Sequence, residues 1–81
     1  MKAKIYIKYK EGILDPQGKT VHSALESMDV NGISCVNIGK YIEMDFISNI
    51  SKEKAESITD ESCKKLLANP NTESYTFEIM D

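Results

Sequence analysis

Lys2-Ala3-Lys4-Ile5-Tyr6-Ile7-Lys8-Tyr9-Lys10 alternates without a break. Ala3, Ile5, Ile7 and Tyr9 fall on one side, and Lys2, Lys4, Tyr6, Lys8 and Lys10 on the other. A period of two with one apolar side is a half-buried strand. The strand runs into a short irregular connection, Glu11-Gly12-Ile13-Leu14, and then into Asp15-Pro16. Aspartate caps free N–H groups, and proline at the first helical position has no N–H to leave unpaired. Val21, Ala24, Leu25 and Met28 follow at helical spacing and predict an inward stripe. Gly18 costs helix propensity unless something packs closely there, and Asn31-Gly32 offers a left-handed stop.

Beyond that stop, Ser34 to Ile38 reads as a short strand with Val36 and Ile38 on one face. Gly39-Lys40 reads as a tight turn into another strand, Tyr41 to Ile47, where Ile42, Met44 and Phe46 alternate with Tyr41, Glu43 and Asp45. Ser51 is placed to cap a second helix with the inner stripe Ala55, Ile58, Ser62 and Leu66, and Leu67 alongside. Glu53 near its start and Lys64-Lys65 near its end suit the helix dipole. Asn69-Pro70-Asn71 breaks it, and Tyr75, Phe77 and Ile79 mark a last strand. The order β-α-β-β-α-β predicts an α+β, ferredoxin-like split βαβ fold. It consists of a four-stranded antiparallel sheet with both helices on one face. One domain spans residues 1–81.

Composition narrows the function. The chain has 81 residues, 41% of them hydrophobic and 28% charged, with a net charge of -3. That balance argues against nucleic acid, whose phosphates call for a basic surface. All ten basic residues are lysines, so the fork that holds carboxylate or phosphate bidentately is missing. An acylphosphatase of this topology needs such an arginine. A metal chaperone needs a CxxC on the first loop, which instead reads Glu11-Gly12-Ile13-Leu14. Cys35 and Cys63 are far apart and read as reduced thiols of a cytoplasmic protein. No apolar run is long enough to span a membrane. His22, beside Glu26 and off the apolar stripe, reads as a surface residue. Neither phosphate-loop signature occurs. Asp15 would itself occupy the donors at the helix N-terminus, the nearest thing to an anion site. On the open face of the sheet, Lys4, Tyr6 and Lys8 would face Tyr41, Glu43 and Asp45 across the ladder. That pattern fits a solvated face or a polar interface equally well. An interaction module or a small-ligand-sensing regulatory domain survives these exclusions.

Three motifs then resemble one family. Gly12-Ile13-Leu14-Asp15-Pro16-Gln17-Gly18 is similar to the G-V-L-D-P-Q-G signature of the PurS family, and Val21 and Ala24-Leu25 keep its spacing. Gly39-Lys40 matches the family's G-K turn. Cys63, Leu66-Leu67-Ala68-Asn69-Pro70, Glu73 and Tyr75 resemble its C-x-x-L-L-A-N-P-x-x-E-x-Y. Asn37 stands where the family often has arginine. The resemblance implies a small, self-associating, non-catalytic subunit of formylglycinamidine ribonucleotide synthase in purine biosynthesis, a homodimer or homotetramer. It would join the large synthetase subunit to the glutaminase subunit and help ammonia pass between them. The complex would use ATP, magnesium and glutamine, with no cofactor or metal bound by this chain, and neither nucleic acid nor membrane as partner. Leu14, Asp15, Pro16, Gln17 and Gly18 form a rigid loop suited to docking a partner subunit. Asn69 and Pro70 join them as candidate interface residues, although their local reading is a helix stop.

Overall fold

The computed structural model describes residues 1–81. β1 (Lys2–Tyr9) is followed by α1 (Pro16–Ser27), β2 (Lys40–Asp45), α2 (Lys52–Ser62) and β3 (Glu73–Met80), with a single π turn at Cys63–Leu67 closing α2. The alternation in β1 does what its period requires. Ala3, Ile5 and Ile7 are buried, while Tyr6 and Lys8 face outward. β1 is the middle strand of an antiparallel sheet in the order β2-β1-β3, with Ile5 opposite both Ile42 and Phe77. Ala55, Thr59 and Cys63 of the α2 segment are buried with that strand, and Ile42, Met44, Phe77 and Ile79 pack around it.

Three expectations are overturned. The fold is α+β, but its sheet has three strands, not four. Ser34–Ile38 forms no strand, and Gly39-Lys40 makes no hairpin turn. This segment instead runs back along α1. Ile33 C=O lies 2.8 Å from His22 Nε2, Val36 C=O sits against Gly18, and Ile38 N–H donates to Asp15. Strand propensity is a fit to a pleated neighbour, and here the neighbour is a helix. His22 is accordingly a half-buried link between α1 and this segment, not a free surface residue.

The second correction concerns α1. Its stripe does not cover the sheet. Val21 is 38% exposed and Met28 is 70% exposed, and Gly18 is the helix's one buried residue. α1 and residues 33–38 project as an arm, which stretches the chain to 51 Å against 26 and 15 Å in the other directions. The helix also stops earlier than Asn31-Gly32, because Asp29 takes the left-handed conformation at φ 65°.

Third, the inner stripe of α2 is Ala55, Thr59, Cys63 and Leu67, while Leu66 is 83% exposed. Steps of four drift around an α-helix of 3.6 residues per turn. The wider π turn, closed by Ala68 N–H donating to Cys63 C=O, takes up that drift and keeps Leu67 inward. Buried Thr59 satisfies its hydroxyl by donating to Ala55 C=O at 2.8 Å.

Candidate subunit-interface site

The Leu14–Gly18 loop is built from the inside out. Asp15 caps α1 as its residue type predicts, with Oδ1 accepting from Gly18 N–H at 2.8 Å. Its other oxygen accepts from Ile38 N–H at 2.7 Å. One carboxylate thus holds the start of α1 and the far end of the returning segment. The Gly18 and Ile38 amides, which favour the charged form, hold the Asp15 carboxyl below the ordinary range. Pro16 occupies the first helical position.

Gly18 is buried because the Val36 carbonyl passes over it; a Cβ there would lie 2.1 Å from that oxygen. Two of the seven candidate interface residues, Asp15 and Gly18, therefore do internal work in the monomer. Leu14, at 69% exposure, Pro16 and Gln17 face outward. Gly39 has the same logic as Gly18. A Cβ on it would meet the Ile7 carbonyl at 2.4 Å, where the chain enters β2 beside β1.

Asn69 and Pro70 lie on the surface beyond the π turn. They stop the helix, as their local reading expects, and they also organise the next turn. Asn69 C=O accepts from Glu73 N–H at 2.8 Å, Asn69 Oδ1 accepts from Asn71 N–H at 2.9 Å, and Asn69 N–H donates to Glu73 Oε1 at 2.8 Å. Lys10 Nζ donates to Pro70 C=O at 2.6 Å. The two motifs form no joint patch, but both border one open, polar cavity of about 510 Å³, Asp15 directly and Pro70 through Lys10. Lys8, Lys10 and Asn37 line it. Its basic groups come from β1, and Asn37 contributes an amide where many relatives have a cation.

The open face of the sheet keeps the expected register, with Lys4 opposite Glu43 and Glu78. Lys2 Nζ is 3.5 Å from Glu43 Oε1, and Tyr41 Oη donates to Glu43 Oε2 at 2.7 Å. That hydrogen bond pushes the Tyr41 phenol up to about 12. The Tyr6 and Tyr41 rings lie 5.2 Å apart. Sequence reasoning did not find the exposure of Leu66 or of the α1 stripe. A helix period marks an apolar face without saying what covers it.

No helix is long and apolar enough to cross a membrane. The PurS family, phosphoribosylformylglycinamidine (FGAM) synthase, matches residues 2–81. The phosphoribosylformylglycinamidine synthase subunit PurS of Bacillus subtilis strain 168 is 42% identical over 78 residues, covering 96% of this chain and 90% of that one. The structure of B. subtilis PurS superposes with a TM-score of 0.88 at 41% identity, over 99% of this chain and 98% of that one. A chain in the structure of PurLQS from Thermotoga maritima gives 0.78 at 26% identity, over 98% and 95%. With the D-P-Q-G loop, the Gly39 close approach and the L-L-A-N-P turn each explained by a contact, and the match running through all but the first residue, this chain belongs to the PurS family of FGAM synthase.

Proposed function

We infer that this chain is the small subunit of FGAM synthase in cytoplasmic purine biosynthesis, joining the synthetase and glutaminase subunits and helping ammonia pass between them. The observation that carries this reading is the family match over residues 2–81. The PurLQS neighbour supports the assembly. In this reading ATP, magnesium and glutamine are handled by the other subunits, and the small subunit works as a homodimer or homotetramer. Leu14, Pro16, Gln17, Asn69 and Pro70 are the outward-facing members of the two motifs and the residues offered to the larger subunits. Asp15 and Gly18 hold the loop that presents the first three.

Reconstitution tests this. Glutamine-dependent synthesis by the two larger subunits should require the chain, and ammonia-dependent synthesis should depend on it less. Equal loss of both activities would remove the ammonia-transfer role. Leu14→Asp with Gln17→Ala should weaken assembly in size-exclusion runs while leaving the fold intact. Unchanged assembly would move the docking surface elsewhere.

A further inference from the structure

The arm carries more apolar surface than a lone chain of this size should show. Leu14, Val21, Met28 and Val30 are exposed, at 69%, 38%, 70% and 44%. The chain exposes 6052 Å². A compact monomer of its mass would expose about 4,900 Å². Its radius of gyration is 16.3 Å, where about 12 Å is expected of a compact domain of this length. The surplus of about 1,100 Å² exceeds the roughly 800 Å² that each partner gives to a standard interface.

A second shortfall is in the backbone. Among the amides of residues 31–39, Ile38 alone has a hydrogen-bond partner, Asp15. A few residues on, β2 pairs with β1 on one side and with nothing on the other. Residues 33–45 therefore hold an unpaired segment and an unpaired strand edge, joined at Gly39. Ile33–Ile38 carries no charge, so pairing it buries none. A two-fold axis relating two such runs satisfies both at once, because each copy offers what the other lacks.

We propose that a second copy of this chain docks on the arm, residues 33–38 of each copy lying along the outer edge of β2 in the other while the same partner covers the Val21–Leu25–Met28 stripe. The inference rests on the self-association in the proposed function and names its surface.

Sedimentation equilibrium of the full chain, with isotope-filtered NMR on a mixture of labelled and unlabelled copies, tests it. A dimer of twice 9.1 kDa with intermolecular contacts between residues 33–38 and Lys40–Asp45 is the expected result. Cys35→Pro, which removes an amide donor, and Val21→Lys should each weaken the dimer about tenfold or more, whereas Cys35→Ser should not. Protected β1 amides would show that the variants remain folded, and if one does not fold, the contacts in the wild-type mixture decide. A wild-type monomer, or a dimer with its contacts elsewhere, overturns the proposal. So does a chain whose arm becomes protected only when the large subunit is added. A chain that dimerises through this surface yet supports no synthesis keeps the inference and removes the subunit reading.

Discussion

Asp15 and Ile38 are 23 residues apart in sequence, and the carboxylate of one accepts the backbone N–H of the other at 2.7 Å. The same carboxylate caps α1 through Gly18 N–H, so it fastens both strands of the arm. Asp15→Ala should lower the melting temperature by several degrees and loosen residues 33–38 before the sheet. Amide exchange would show the order. Asp15→Asn keeps one acceptor oxygen and should fall between the two. The native carboxyl is lowered relative to the unfolded chain, so its contribution is complete above the unfolded value near 3.8 and is lost as pH falls through the folded one. Acid unfolding should therefore be less pH-dependent in Asp15→Asn than in the wild type.

Three glycines should respond differently. Gly18→Ala and Gly39→Ala each drive a Cβ into a backbone carbonyl, and each should cost about 1–3 kcal/mol in urea unfolding. The better helix propensity of alanine, about 1 kcal/mol, works against this only at Gly18. Gly12 has open space around it but a φ of 85°, so alanine there should cost about 1–2 kcal/mol from backbone conformation alone. Asparagine, which tolerates that conformation, should recover part of the loss at Gly12 and none at Gly18 or Gly39.

These contacts also mark what could be read in advance. β1, the caps at Asp15 and Ser51, and β3 were legible because each rests on local chemistry or a period of two. Ser34–Ile38 was not, since Ser-Cys-Val-Asn-Ile suits a strand and only the Asp15–Ile38 bond diverts it to a helix. Nor was the position of α1, because a stripe at helical spacing looks the same whether its own sheet or another molecule covers it. The D-P-Q-G motif was visible as a unit, yet the Val36 carbonyl that makes Gly18 necessary lies 18 residues away.

Leu66 and Leu67 separate the expected α2 stripe from the observed one. Leu66→Ala should change stability by no more than about 0.5 kcal/mol, as at other exposed positions. Leu67→Ala, half-buried against the core cluster, should cost about 1–2 kcal/mol, below the range for a full core site. Equal losses would mean that the π turn does not hold Leu67 inward. If Leu66 meets a larger subunit, the same substitution should weaken assembly without changing the melting curve.

Tyr75 ties β3 to α2 by donating its phenol to Asp60 Oδ1 at 2.5 Å. The hydrogen bond, followed by desolvation, pushes the phenol up to about 12. Asp60 is lowered by the same bond and by Lys64, which lies 3.0 Å away. The signs oppose. The raised phenol supports the fold fully below its ordinary value near 10, and that support is lost as pH rises towards about 12. The lowered carboxyl supports it above about 3.8, and that support is lost as pH falls. Tyr75→Phe should therefore be less stable across the neutral range and flatter at both extremes. Alkaline titration followed by phenolate absorbance should show one fewer late-ionising tyrosine. If Tyr75→Phe unfolds with wild-type pH dependence, the pair does not bind β3 to α2 in solution.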